Sequence, residues 1–312
     1  MPHISYTSIN YRANTLELIQ RCQEIIAEYA PIGLDLTVRQ LYYQLVSRAY
    51  IPNNEKSYRH VVNTVSDARM TGDIDWNSIV DRTRNVRSNP HWSHPGEILR
   101  SAAHQFQYDK WLDQAERVEV WIEKDALTGV IAGVCNELDV PYFSCRGYTS
   151  QSEIWRGAQR VLEHHRSVGQ GTVILHMGDL DPSGVDMTRD ITDRLEIFTS
   201  FTHGDEFTVE RIALNESQVA RYKPPPNPAK LTDSRIDSYI EVFGYQSWEL
   251  DALDPTVLVA LVRDKVGEYR DDDLWNDNVL EEEKAREQLS LISDNFDDVA
   301  LFVQDTFGEG EK

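Results

Sequence analysis

Two aspartates one residue apart, Asp179 and Asp181, follow the apolar run TVILHM (172–177) in the segment HMGDLDPSGVD. A glutamate, Glu123, follows an earlier apolar run, VEVWI (118–122). If these runs are neighbouring strands, the three carboxylates meet at one edge of a sheet. Residues two apart in extended backbone point the same way. Crowded carboxylates without a counter-charge repel one another and their pKa values rise. A divalent cation removes that repulsion. Mg²⁺ takes hard oxygen donors, uses few carboxylates and leaves positions for water and phosphate. Such an ion polarises a phosphodiester and stabilises its leaving oxygen. The plainer alternative is a solvated loop or a helix cap, with Asp181 or Ser183 starting the next helix. Asp125 and Asp186 read as first-turn helix acids, favoured by the helix dipole.

The elements around these residues alternate. VEVWI (118–122), PYFSC (141–145), TVILHM (172–177) and FTVERIAL (207–214) read as strands. Helices are expected over 124–139, 152–167 and 183–198. Strands alternating with helices imply a mostly parallel sheet covered on both faces, with ligands at the carboxyl ends of its strands. YKPPPNPAK (222–230) is a stiff excursion. Residues 232–266 read as largely helical, and the acidic end, 271–305, as further helix.

The first third has a different character. Residues 15–30 have helical periodicity, broken by Pro31 and Gly33. In LTVRQLYYQLVSRAYI (36–51), Thr37 can cap the start, and Val38, Leu41, Tyr42 and Leu45 share one face. A further helix is expected over 55–72, ending at Gly72. DIDWNSIVDRTRNVR (73–87) reads as an irregular, wing-like stretch. Two short helices, a tight turn and a basic loop suit a helix-turn-helix or winged helix, although any small helical bundle has the same pattern. Arg59, Arg69, Arg82, Arg84 and Arg87 are the candidate DNA contacts on that reading. SNPHWSHPGE (88–97) is the best linker candidate. The spacing of His91, His94 and His104 matches no ligand pattern, so they read as linker histidines. The expected domains are therefore 1–100, helical with its linker, and 101–312, the α/β domain with an acidic helical end.

Bulk properties narrow the class. The net charge is −21, but residues 1–100 hold 11 Lys and Arg against 10 Asp and Glu, while residues 101–312 hold 20 against 42. A DNA binder usually shows a basic surface, so contact here needs a local patch or metal ions. The three cysteines share no CxxC spacing, which suggests neither a disulfide framework nor a zinc site. No apolar run approaches the ~18 residues of a membrane span. The start has no basic-then-apolar signal pattern, so a cytoplasmic, non-membrane protein is expected.

VEVWIEKDAL, CRGYTSQSE and GDLDPSGVDM together resemble a Toprim domain. The likeness is nearest to the A-type subunit of topoisomerase VI and its relative, the meiotic double-strand-break transesterase. WELDAL (248–253) is similar to a segment ending that domain, and VRQLYYQL to the family's winged-helix segment, where an Arg precedes a Tyr pair. The match runs in order over roughly residues 36–265, motif by motif; the Toprim motifs are fairly specific and the Tyr segment less so. The resemblance implies an α/β fold in which a winged-helix-like domain precedes a Rossmann-like Toprim domain. It implies Mg²⁺ on Glu123, Asp179 and Asp181, and Tyr43 as the nucleophile that stays joined to DNA. Tyr43 is turned about 100° from Tyr42, which lies on the apolar stripe. Arg39, four residues before Tyr43, shares its face and can favour phenolate character or hold a phosphate. Lys124 contacts phosphate or forms a surface pair. A homodimer is implied, in which the tyrosine of one protomer meets the metal of the other, with double-stranded DNA as substrate. The family's topoisomerase works with a separate ATPase subunit, and no GxxxxGK loop occurs here. The chain is shorter than typical family members, and its acidic end has no counterpart among them. Two alternatives stay open: a Toprim nuclease using water as nucleophile, and a non-enzymatic DNA-binding protein with the same fold.

Overall fold

The computed structural model describes residues 3–80, 89–199, 207–230 and 232–308. The chain begins with α1 (Ala13–Tyr29), α2 (Val38–Ser47), α3 (Glu55–Thr71) and α4 (Pro95–Gln105). It continues through β1 (Glu116–Ile122), α5 (Thr128–Glu137), β2 (Tyr142–Ser144), α6 (Gln151–Val168), β3 (Gly171–Met177), α7 (Pro182–Thr199) and β4 (Phe207–Ala213). Then follow α8 (Glu216–Tyr222), β5 (Asn227–Pro228), α9 (Ile236–Phe243), β6 (Gln246–Ser247), α10 (Pro255–Gly267), α11 (Asp272–Asp294) and α12 (Phe296–Phe307).

Backbone contacts divide the chain into two compact units, Met1–Arg84 with Glu116–Glu268, and Asn85–Ala115 with Tyr269–Lys312. This differs from the sequence boundary at residue 100. The first helices pack within the same unit as the sheet, because α2 lies against the 3₁₀ turn Leu250–Ala252 and Ala252 joins the helical core.

In the first unit, β1–β4 form one parallel sheet in the order β2-β1-β3-β4. This is the α/β architecture expected from the alternating pattern. Ile122 pairs with Met177, so β1 and β3 end level and Glu123 emerges beside Gly178. Trp121 and Ile174 pack with Ile154, Ala158, Ile191 and Leu195 of α6 and α7. Gly157 lets α6 approach the sheet: a Cβ there would meet the Trp121 ring at 2.8 Å. The helices α1–α3 enclose a second core of Cys22, Ile25, Leu41, Leu45, Val61 and Val65. Thr37 caps α2 as expected, in a reciprocal capping box with Gln40. Gly72 ends α3 with φ 81°, a left-handed conformation that favours glycine.

Residues 73–80 are irregular, as expected, with only an isolated bridge, Leu36 to Ile79, and 81–88 lie outside the described residues. Other sequence expectations need correction. The linker candidate ends early, because Pro95 opens α4 with the His94 side chain accepting from the Gly96 N–H. The helical stretch 232–266 is broken at Gly244 and by the Asp254–Pro255 start of α10. The helix expected from 124 starts as a 3₁₀ turn, Asp125–Leu127.

The second unit contains α4, α11 and α12. Lys110 and Glu282 form a buried ion pair at 2.6 Å, and Trp111 meets Trp275 edge to face. The acidic end is helical as expected, in α11 and α12. No helix among the described residues is long and apolar enough to cross a membrane.

Candidate active site

The level ends of β1 and β3 bring Glu123 and Asp179 together. The Asp179 N–H donates to Glu123 Oε2 at 2.8 Å. Asp179 Oδ1 accepts from the Leu250 N–H at 2.7 Å and lies 3.0 Å from Lys124 Nζ. Asp181 Oδ1 accepts from the Gly184 N–H at 2.6 Å and from the Ser183 hydroxyl at 2.8 Å. Asp181 therefore caps α7, which was the plainer of its two readings. Among the described residues, Glu123 Oε1, Asp179 Oδ2 and Asp181 Oδ2 carry no hydrogen bond. Each carboxylate thus fastens backbone with one oxygen and keeps the other.

Electrostatics follow from burial. Burial raises the Glu123 carboxyl above the usual range, against the Asp179 N–H and Lys124, with Asp181 adding repulsion. Burial pushes Asp179 up to about 7, with Lys124 opposing and Glu123 reinforcing the rise. Burial alone would lower Lys124, but Asp179, Asp251 and Glu249 outweigh it and raise its pKa. Lys124 is thus tied into the site rather than into a surface pair.

Arg211 of β4 staples the aspartate loop. Its guanidinium donates to the carbonyls of Gly178 at 3.0 Å, Asp179 at 2.5 Å and Gly184 at 2.9 Å. Gly184 is fixed by a close approach: a Cβ there would lie 2.2 Å from the Asp179 carbonyl oxygen. Asp125 and Asp186 sit outside this cluster, Asp125 paired with Arg146 and Asp186 with Arg189 and Arg235.

Arg39 and Tyr43 do share a face, with the guanidinium 5.7 Å from the ring centre. The expectation that Tyr43 turns away from the core is corrected. Tyr42 and Tyr43 are both 4 % exposed, because Tyr43 is covered on its far side as well. Asn227 lines the same cavity as the phenol and its side chain lowers the Tyr43 pKa slightly. The phenolate expectation is corrected too. Burial pushes Tyr43 up to about 12, Glu249 adds to the rise, and Arg39 opposes it. Arg39 has little charge to spare, because Glu249 and Asp251 both pair with it.

Tyr43, Arg39, Asp179, Asp181 and Glu249 line one cavity of about 450 Å³. Sequence reasoning placed the first four as chemical groups. It quoted Glu249 and Asp251 within WELDAL without giving them a role, and it missed Asn227 and Arg211. The signal for the pair was the Glu-x-Asp spacing just before the Asp-Pro helix start. For Arg211 it was a cation close to the carboxyl end of a strand, two residues before Ala213.

The donor set fits a hard cation: three carboxylates, two of them raised by burial, each with an oxygen free of hydrogen bonds. The grip is not preassembled. Among the described residues no three His, Cys, Asp or Glu side chains converge as a ready ligand set. Lys124 Nζ stands on Asp179 instead. Of the arginines named for DNA, Arg59 is exposed and pairs with Glu55. Arg69 donates to the Trp76 carbonyl at 2.7 Å and stacks over the Trp76 ring. Arg82, Arg84 and Arg87 lie outside the described residues.

Comparison of the sequence with protein-family models and with curated proteins finds no match in either.

Proposed function

We propose that the chain is a magnesium-dependent DNA-cleaving transesterase resembling the A-type subunit of topoisomerase VI. In this reading α1–α3 form a winged-helix-like DNA-binding part, and the parallel sheet is a Toprim-type domain. The observation that carries the reading is the shared cavity, which is lined by a tyrosine, an arginine and the two aspartates. Glu123, Asp179 and Asp181 would hold Mg²⁺. When bound there, the ion neutralises charge on the phosphodiester and its leaving oxygen.

The chain's own residues supply the rest. Tyr43 Oη forms the bond to phosphorus, and the bond from phosphorus to the neighbouring 3′-oxygen breaks. The phenolic proton ends on that oxygen as the 3′-hydroxyl. The DNA is left joined to Tyr43 through its 5′-phosphate. Arg39 holds a phosphate oxygen beside the ring, and Lys124 a second one. Arg59, Arg69, Arg82, Arg84 and Arg87 contact the DNA backbone, which fixes position rather than sequence. A separate ATPase subunit would be needed for strand passage.

A homodimer belongs to this proposal. The resemblance pairs the tyrosine of one protomer with the metal of its partner, whereas here Tyr43 and Asp179 line one cavity of the same chain. Mixing Tyr43→Phe with Asp179→Ala chains separates the two arrangements, since cleavage returns only if the tyrosine acts across the dimer.

Two other readings have observations in their favour. Tyr43 is buried and its phenol is raised, which favours a nuclease with water as nucleophile. Lys124 standing on Asp179 favours a DNA-binding protein without catalysis. A cleavage assay on labelled supercoiled plasmid with Mg²⁺, stopped with detergent and run with and without protease, decides among them. DNA that stays with protein until protease is added, only when Tyr43 is present, supports the transesterase. Equal free cleavage by Tyr43→Phe, lost in Asp179→Ala, points to the nuclease. No cleavage by any form leaves a missing partner subunit or binding alone, which a pull-down separates.

A further inference from the structure

The carboxylate of Glu249 sits among donors suited to a phosphate. Its Oε2 pairs with Arg39 and lies 3.0 Å from Lys124 Nζ. Its Oε1 lies 3.5 Å from Asn227 Nδ2. A guanidinium, an ammonium and an amide converge on one anion, and these are the groups that bind a phosphodiester oxygen.

The backbone beneath Glu249 is fixed while its side chain is held only by other side chains. Trp248 and Leu180 exchange two backbone hydrogen bonds, each 2.9 Å. The Leu250 N–H is locked on Asp179. The Glu249 side chain is 27 % exposed on the cavity wall, while that of Asp251 is 3 % exposed. Asp251 stays 2.9 Å from Arg39 Nε and keeps the guanidinium aimed when Glu249 leaves.

The charge of the cavity calls for such a displacement. Arg39 and Lys230 line it against Glu55, Asp179, Asp181 and Glu249. A phosphodiester entering this lining meets more like charge than opposite charge, and its cationic seat is taken.

We propose that Glu249 is an internal stand-in for the substrate phosphate. It occupies the anion seat made by Arg39, Lys124 and Asn227, and a DNA phosphodiester enters by displacing it. The inference rests on the reading of this cavity as a DNA-cleaving site, and it makes Glu249 a built-in brake on binding.

The test is a titration of the full chain with a short fluorescein-labelled duplex, read by anisotropy in EDTA so that no cleavage intervenes. Glu249→Gln is expected to bind about tenfold tighter than wild type, with the slope of log K against log salt steeper by about one unit. Glu249→Ala is the second variant, and circular dichroism checks that each form is folded. Glu163→Gln removes an exposed carboxylate of α6 that does not line the cavity; it is expected to leave affinity within about twofold of wild type. Adding Arg39→Gln to Glu249→Gln is expected to cancel the gain.

An equal gain in Glu163→Gln, or a gain that survives loss of Arg39, makes the effect general charge and overturns the proposal. Unchanged or weaker binding by both Glu249 variants overturns it while leaving the cleavage reading intact. No binding by any form overturns the proposal, and the plasmid cleavage assay with Mg²⁺ then decides the cleavage reading separately.

Discussion

The Leu250 N–H donates to Asp179 Oδ1 at 2.7 Å, across 71 residues of sequence. One carboxylate therefore serves two ends: it anchors the turn that carries Glu249 and Asp251, and it stands in the candidate metal set. Substitution separates these roles. Asp179→Asn keeps an acceptor oxygen for Leu250 and removes a charge that burial disfavours, and Lys124 retains Glu249 and Asp251. Its unfolding free energy near neutral pH is expected to equal or exceed that of wild type. Asp179→Ala leaves the Leu250 N–H buried without a partner and is expected to cost about 1–3 kcal/mol. Urea titration measures both. Both variants are expected to lose plasmid cleavage, so a stable Asp179→Asn protein that still cuts would remove Asp179 from the chemistry.

Gly184 is the tightest point of the aspartate loop. The start of α7 lies against the Asp179 carbonyl so closely that a Cβ has no room and must displace backbone. Gly184→Ala is expected to destabilise the protein by about 1–3 kcal/mol, as overpacking does. It would also pull the Gly184 N–H from Asp181 and the Gly184 carbonyl from Arg211. Thermal unfolding together with the cleavage assay checks it. An unchanged melting temperature would mean that the loop tolerates a shift this packing forbids.

The three cysteines, Cys22, Cys135 and Cys145, are free and buried. Burial pushes the Cys22 and Cys135 thiols up to about 12 and Cys145 up to about 11. Thiolate is the reactive form, so the folded protein is expected to resist a thiol-specific reagent at neutral pH. All three should react in denaturant. Rapid labelling of any one in the native state would show that its core opens on the labelling timescale.

The pattern of strands and helices was legible because fully buried parallel strands are short apolar runs, and VEVWI and TVILHM stand out as such. The meeting of Glu123 and Asp179 was legible for the same reason, since carboxylates that end apolar runs must emerge at the sheet's edge, whereas spacing did not show that Asp181 turns back to cap α7. What covers a residue was not legible. Tyr43 faces away from the stripe of α2, and helical spacing alone leaves it open to solvent. Asn227, almost two hundred residues later, closes that side, and periodicity carries no information about so distant a partner. The ion pairs of Arg39 were hidden likewise. Spacing gave its neighbour on α2 but not the two carboxylates that meet it from the 249–251 turn. The break of the 232–266 helix was visible in Gly244 and in Asp254–Pro255, signals that a reading for overall helicity passes over.

His176 supplies a pH test of the sheet beneath the site. The side chain is fully buried in β3, with Nδ1 2.8 Å from the Thr188 hydroxyl and Nε2 without a hydrogen bond. Burial, with Arg211 adding like charge, holds its pKa down at about 3. In the unfolded chain a histidine titrates near about 6.5. Between these values the unfolded state binds a proton that the folded state refuses, so stability rises with pH across that window. The favourable contribution is complete above about 6.5 and is lost as pH falls toward 3, at about 1.4 kcal/mol per pH unit. Glu123 and Asp179, whose pKa values are raised, shift stability the opposite way on acidification, so the wild-type curve alone is a mixture. Comparison with His176→Phe isolates the histidine, since the other groups remain in both chains. Urea unfolding from pH 7 down to 4.5 is expected to show wild type losing stability more steeply than His176→Phe, by a slope equivalent to about one proton. Parallel curves would mean that His176 takes up its proton in the folded state, and that the interior beneath the aspartate loop is more polar than its packing indicates.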